Sequence, residues 1–342
     1  MMTILLIVGG FIGLFLGGET LVRGAVCLAR RFGMSELVIG LTLVGFGTSL
    51  PELVTSLQAL NAGAVGLSIG NVIGSNVANI LLVLGTAAVI APIVTSPKSL
   101  LRDGLFMLGV TVLFALLLWF DAFSRLTGLA MVALLAFYLW ASVMLDRAEP
   151  SPVSKVRNEA ANGFEKQDGI ALALGLVIFG AISIALGASF LVQGGTEAAR
   201  ALGVSETVIG ISVLAIGTSL PELMTSIAAA RRGNADVALG NVIGSNIFNI
   251  LGILGVSAAV IPFSVSVPVD LALEGVAATQ IMTETVVAWA DVQALGLTVV
   301  LLGLFAYTGR QIARWEGAVL LAGYVLYLGL RFGLMPVPGG LA

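Results

Sequence analysis

The residues most able to do chemistry in this chain are two glutamates, each set behind a proline in an apolar run long enough to cross a bilayer. Glu52 closes GTSLPE at 47–52, and Glu222 closes the same six residues at 217–222. A charged side chain near mid-bilayer costs at least about 2.5–3.5 kcal/mol on insertion scales. One such glutamate alone reads as a hydrogen-bonded structural acid; a matched pair reads as a site. Thr48, Glu52 and Ser56 fall at i, i+4 and i+8, with Ser49 three positions before the glutamate, so all share one helical face. Thr218, Ser219, Glu222 and Ser226 repeat the arrangement. Pro51 has no N–H and clashes with the carbonyl of Gly47, which opens the helix there. Pro221 does the same to Gly217. Broken backbone at membrane depth is tolerated only where it faces protein or a cavity. Carboxylates, hydroxyls and bare carbonyls make an all-oxygen cage, which suits hard cations such as Ca²⁺ and Na⁺.

A second motif, GNVIGSN, also occurs twice, at 70–76 and 240–246. Gly70 with Gly74, and Gly240 with Gly244, form GxxxG, a close-packing signal between membrane helices. On the same helices Asn71, Ser75 and Asn79 form a polar stripe at i, i+4 and i+8, as do Asn241, Ser245 and Asn249. Amide and hydroxyl oxygens on one face can complete a cation site. Two carboxylates about 4 Å apart repel by roughly 4 kcal/mol even at an effective dielectric of 20. Either one is protonated or cations sit between them. A site that crosses the membrane only when loaded is an obligatory exchanger.

These motifs need a membrane scaffold, and the composition supplies one. Of 342 residues, 58% are hydrophobic and only 10% charged, with a mean hydropathy of +1.08. A soluble domain carries about 25% charged residues, so the chain is an all-α polytopic membrane protein in contact with a lipid bilayer. With no histidine and a single cysteine, Cys27, internal disulfides, cysteine-rich metal sites, HExxH proteases and imidazole relays are excluded. No enzymatic activity, resident cofactor or nucleic-acid partner is expected, and a single chain is taken as the working unit. The apolar run from Met1 has no basic start and no small-residue cleavage pattern, and reads as a first span.

The chain is one unit written twice. Shifted by 170, Ser35–Pro92 overlays Ser205–Pro262 without a gap, with 30 of 58 positions identical. The first half, 1–145, reads as spans near 3–29, 36–61, 65–91, 104–120 and 126–145. The second, 169–342, reads as spans near 169–199, 206–230, 235–261, 292–309 and 315–334. The polar stretch 146–168 reads as a cytoplasmic linker. Five spans per half put the second half into the membrane upside down, giving ten transmembrane helices as two inverted five-helix repeats. With both termini outside a cell (plasma or inner) membrane, thirteen Lys and Arg residues fall on inner loops and only Arg125, Arg200 and Arg331 lie outside. Inverted repeats with a site at their midplane interface are a known plan of secondary transporters. An extra segment, about 264–290, breaks the symmetry. Glu274, Gln280 and Glu284 disfavour an eleventh span, so we expect a helix at the outer surface.

GTSLPEL followed by GNVIGSNxxNI, twice, resembles the alpha-repeats of the sodium/calcium exchanger branch of the calcium/cation antiporters. The resemblance covers nearly the whole chain. It implies Ca²⁺ exchanged for Na⁺ by alternating access, and electrogenic transport if three Na⁺ move against one Ca²⁺. Carried over by matching positions, Ca²⁺ ligands are the carboxylates of Glu52 and Glu222 and the carbonyls of Thr48 and Thr218. Sodium sites add Ser49, Ser219, Ser75, Ser245, Asn79, Asn249 and carbonyls near Gly45 and Ala215. Some relatives carry aspartate where this chain has Asn249, so its site has two acids rather than three, which disfavours K⁺ cotransport. The large cytosolic calcium-sensing domains of animal relatives have no counterpart in the short linker.

The alternative within transport is a Ca²⁺/H⁺ or other cation/proton antiporter using the same glutamates; a passive channel and an intramembrane enzyme are the other rivals. Away from the site, Glu19 and Arg23 read as a helix-local pair, and Ser35 and Ser205 as helix caps. Asp270, Glu274, Glu284 and Asp291 read as a solvated acidic face.

Overall fold

The computed structural model describes residues 2–94, 97–148, 169–201, 215–265, 289–309 and 311–331. It is helical throughout, apart from one two-residue strand pair. The first helix, α1 (Met2–Phe32), is followed by α2 (Glu36–Thr48) and α3 (Leu50–Asn61), a single span bent by 43°. Then come α4 (Val65–Ile90), α5 (Pro97–Trp119) and α6 (Arg125–Ala148). The second half supplies α7 (Ile170–Ala201), α8 (Ala215–Thr218), α9 (Leu220–Arg231), α10 (Ala235–Val260), α11 (Trp289–Gly309) and α12 (Arg314–Arg331). Among the described residues, six helices are long and apolar enough to cross a membrane, seven if the α2–α3 pair counts as one. Large apolar side chains such as Phe11, Leu116, Phe137, Phe179 and Leu304 are exposed on the outside of the bundle, where only lipid would match them. This is a multi-pass membrane protein. The linker from 149 to 168, residues 205–214 and the extra segment at 266–288 lie outside the described residues.

Sequence chemistry explains the local breaks. Ser35 caps α2 as expected, its Oγ accepting from Val38 N–H at 3.2 Å, while its own N–H donates to Asp146 at the end of α6 at 2.6 Å. The bend falls at Ser49, whose backbone (φ −90°, ψ 7°) leaves the helical region just before Pro51. Ser219, before Pro221, has nearly the same backbone (φ −88°, ψ 0°). Among the described residues three stretches are π-helical, which periodicity did not signal: Gly40–Val44, Asn79–Leu84 and Phe248–Leu254. Wide turns of this kind recur at functional sites.

Burial sorts the spans. The apolar windows of α10 and α4 are 89% and 72% buried, against 28% for α1, α6 and α7. The GNVIGSN helices therefore form the centre, and α1, α6 and α7 face outward. Close approach to α10 depends on glycine: a Cβ on Gly240 would sit 2.2 Å from Leu37 O, and one on Gly244 2.4 Å from Leu41 O. The GxxxG packing reading therefore holds for α10 against α2. The positions that the repeat would set against Gly70 and Gly74 fall within 205–214. A second glycine seam joins α1 to α7, where a Cβ on Gly10 would lie 2.8 Å from Gly187 O.

Three expectations change. Helix α5 begins at Pro97, so Arg102 and Asp103 lie inside it rather than in a loop; Arg102 Nε and Nη2 hold buried Asp103 at 2.8 and 2.9 Å, and Tyr138 O–H adds a bond at 3.2 Å. Asp291 is not on a solvated face. It is buried, accepts from Tyr327 O–H at 3.4 Å and pairs with Arg331 at 2.9 Å. Glu19 is not confined to its own helix, because its carboxylate accepts from Arg232 Nε at the end of α9, at 2.7 Å.

The ends of the bundle can be matched. Ile93 and Val94 pair antiparallel with Ile312 and Gln311, so the end of α4 and the start of α12 share one end. Helix α5 leads away from it to Trp119. There the Trp119 ring meets Trp289 at 5.5 Å, and Phe263 N–H donates to Phe123 O at 3.2 Å. The residues on both sides of the extra segment thus sit together at the opposite end from Ile93.

Candidate functional site

The ten residues singled out from sequence lie on the bent span α2–α3, on α4, at α8–α9 and on α10, and several of them meet across the packing of α2–α3 with α10 and α9. Thr48, Ser49, Glu52, Ser75, Asn79, Thr218, Ser219, Glu222, Ser245 and Asn249 are all buried. Several contacts run between the two halves. Ser49 Oγ donates to Glu222 Oε1 at 2.9 Å. Thr48 Oγ1 donates to Asn241 Oδ1 at 3.2 Å, and Ser245 Oγ to the backbone oxygen of Gly45 at 3.4 Å. The proline breaks make this possible, since an unbroken helix would keep Gly47 O and Gly217 O bonded to the residue four on.

Asn71 and Asn241, read as possible ligands, do something else. Asn71 Nδ2 donates to Ser56 Oγ at 3.1 Å and to the backbone oxygen of Glu52 at 3.4 Å; Asn241 Nδ2 makes the same two contacts, at the same distances, to Ser226 and Glu222. They tie each broken helix to the GNVIGSN helix of its own half. Ser56 and Ser226 are likewise engaged there.

Among the described residues, eleven buried side-chain oxygens have no hydrogen-bond partner, and eight belong to the ten residues above: both of Glu52, and one each of Glu222, Ser75, Asn79, Thr218, Ser219 and Asn249. Buried polar atoms are almost always satisfied, because leaving one unpaired costs about 1–3 kcal/mol. All eight are oxygens of the kind that bind hard cations. The Glu52 carboxylate also lies within electrostatic reach of Glu222, and like charges there call for a cation or a proton. No cluster of three or more acidic, histidine or cysteine side chains occurs among the described residues, so soft-metal chemistry is not favoured.

The family model described as "Sodium/calcium exchanger protein" matches residues 2–144 and 172–333. The chain belongs to the sodium/calcium exchanger family. It is 35% identical to the sodium/calcium exchanger MaX1 of Methanosarcina acetivorans, over 96% of this chain and 98% of that one. It is 38% identical to an uncharacterized membrane protein of Methanocaldococcus jannaschii, over 95% and 96%. Among solved structures, the sodium-calcium exchanger NCX_Mj soaked with zero Na⁺ and Ca²⁺ matches with a TM-score of 0.79 at 35% identity, over 96% of this chain and 98% of that one. The same exchanger soaked with 10 mM Na⁺ and 10 mM Sr²⁺ gives 0.78. Sodium/calcium exchangers are transporters rather than enzymes.

Sequence reasoning about this family member missed two buried asparagines, Asn76 and Asn246, which contact Asn249 and Asn79. The signal was present: both lie inside GNVIGSN at matching positions. They stand one residue off the i, i+4, i+8 stripe, which is why helical spacing passed over them.

Proposed function

We propose that the protein is a secondary antiporter that exchanges Ca²⁺ for Na⁺ across a cell membrane by alternating access. The observation that carries this reading is the pair of buried glutamates from two proline-broken helices, together with unpartnered buried oxygens on both halves. Glu52 and Glu222 supply the charge, with the carbonyls of Thr48 and Thr218, for Ca²⁺. Ser49, Ser75, Asn79 and Ser219, Ser245, Asn249 extend the cage for Na⁺. Two carboxylates held together favour an occluded state that carries cations. Movement without cargo is thereby suppressed, and the two fluxes are coupled.

The scaffold we propose is ten spans in two inverted five-helix halves, 1–145 and 169–342, joined by a cytoplasmic linker, with both termini outside. Matched backbone at Ser49 and Ser219, and identical Asn71 and Asn241 contacts, support the repeat. The meeting of Phe263 with Phe123 and of Trp289 with Trp119 supports an extra segment that adds no net crossing.

The test is ⁴⁵Ca²⁺ uptake into proteoliposomes loaded with Na⁺. The parent should accumulate Ca²⁺ down the Na⁺ gradient, and Glu52→Gln and Glu222→Gln should each lose uptake. Parent-like uptake by either variant would show that the glutamates are not the site. Uptake driven by a pH gradient and indifferent to Na⁺ would instead indicate a Ca²⁺/H⁺ antiporter.

A further inference from the structure

Asn76 and Asn246 are not in the ligand set proposed above, yet both are buried and each touches a member of it. They are repeat mates, 170 positions apart. Asn76 Nδ2 donates to the backbone oxygen of Asn246 at 3.3 Å, and Asn246 Nδ2 donates to that of Asn76 at 3.4 Å. Their side-chain oxygens are also engaged: Asn249 Nδ2 donates to Asn76 Oδ1 at 3.0 Å, and Asn79 Nδ2 to Asn246 Oδ1 at 3.1 Å. Four residues thus form a chain across the two halves, Asn249–Asn76–Asn246–Asn79, beside the π-helical turns that begin at Asn79 and Phe248. What the chain leaves over is Asn79 Oδ1 and Asn249 Oδ1, both buried and without a hydrogen-bond partner.

That remainder has a chemical meaning. A side-chain amide ends in an oxygen acceptor and an NH₂ donor of nearly equal size, and half a turn about the last torsion exchanges them. For a bound cation the two are opposites, because the oxygen attracts it and the NH₂ repels it. Nothing within Asn79 or Asn249 chooses between them. An acceptor placed behind the amide does, by taking the NH₂ and turning the oxygen forward. We infer that Asn76 and Asn246 are positioning residues that hold the amides of Asn249 and Asn79 with their oxygens toward the transported cation. This rests on the site reading above and deepens it. A chain with asparagine rather than aspartate at 249 needs such a device, since a carboxylate offers oxygen whichever way it turns.

The experiment measures half-saturating Na⁺ and Ca²⁺ for exchange in proteoliposomes, with thermal melting of each purified protein as the folding control. Asn76→Ala should raise half-saturating Na⁺ about threefold to tenfold, the range expected for one lost hydrogen bond, while half-saturating Ca²⁺ moves far less. The same substitution in an Asn249→Asp background should not raise half-saturating Na⁺, because the carboxylate has no wrong orientation. Asn76→Asp keeps the volume and the acceptor for Asn249, and should not raise half-saturating Na⁺; it also serves if the alanine variant does not fold. An equal factor in both backgrounds, a parallel change in Na⁺ and Ca²⁺, or a Na⁺ defect in Asn76→Asp would each overturn the proposal and leave a packing role. Glu52→Gln is run in the same assay. If it still exchanges, the site reading fails, and that failure is separate from any result at Asn76.

Discussion

At the residue scale, the candidate site is defined by what is left unpaired. The protein buries two carboxylates and a set of hydroxyl and amide oxygens, and then satisfies only part of them. Ser49 shows the logic. Its hydroxyl crosses from the first half to donate to Glu222 Oε1 at 2.9 Å, so the ligand shell of one glutamate is organised by the other repeat. A hydrogen bond to a charged group is worth about 1.5–3 kcal/mol. Ser49→Ala should therefore raise the half-saturating cation concentration for exchange by roughly tenfold or more while the protein still folds. An unchanged concentration dependence would mean that the hydroxyl does not organise Glu222 during transport. The residues legible from sequence here were those whose chemistry is expensive to bury: Glu52, Glu222 and their hydroxyl neighbours. Asn76 and Asn246 were not, because an asparagine beside a ligand looks the same in sequence as one that packs a helix.

At the scale of elements, prolines and glycines determine where helices break and how closely they meet. Pro51 and Pro221 announce their breaks in the sequence, since a residue without an N–H cannot complete the turn. Glycine is less explicit. Gly240 and Gly9 are both glycines in apolar helices, but a Cβ on Gly240 would meet Leu37 O at 2.2 Å, whereas one on Gly9 would meet nothing within 4 Å. Gly240→Ala must push α10 away from α2 and should lower stability by about 1–3 kcal/mol. Gly9→Ala should be neutral or stabilising by up to about 1 kcal/mol, because alanine loses less backbone freedom in a helix. Melting of the two purified variants checks both; equal melting temperatures would refute the contrast. The π-helical turns and the early start of α5 had no local signal, since they answer to the packing of partners distant in the chain. Asp291 made the same point: four acidic residues near one another read as a solvated face, but Tyr327 and Arg331 bring this one inside.

At the scale of the whole molecule, each repeat contributes one buried glutamate, and the proposed inversion of the halves would set both in a shared interior. If three Na⁺ move against one Ca²⁺, each cycle carries one net charge. A potential of 100 mV then adds about 2.3 kcal/mol to the driving force. A potassium diffusion potential imposed on proteoliposomes should therefore speed Ca²⁺ movement in one direction and slow it in the other. Flux indifferent to voltage would rule out that stoichiometry. Much of this architecture was readable in one dimension. Composition demanded a membrane and the 170-residue repeat marked the two halves; the proposed inversion of one of them rests on five spans in each.

The sequence by itself determined the membrane class, the repeat, the breaks and the two acids that are costly to bury, because each follows from a cost that a residue carries wherever it is placed. Tertiary structure decided which oxygens are used up and which remain. Ser49 meets Glu222, Asn76 meets Asn249 and Asn79 meets Asn246 only when the halves interlock. A hydrogen bond depends on the direction in which its partner arrives, and between residues some 170 positions apart only the folded chain supplies that direction.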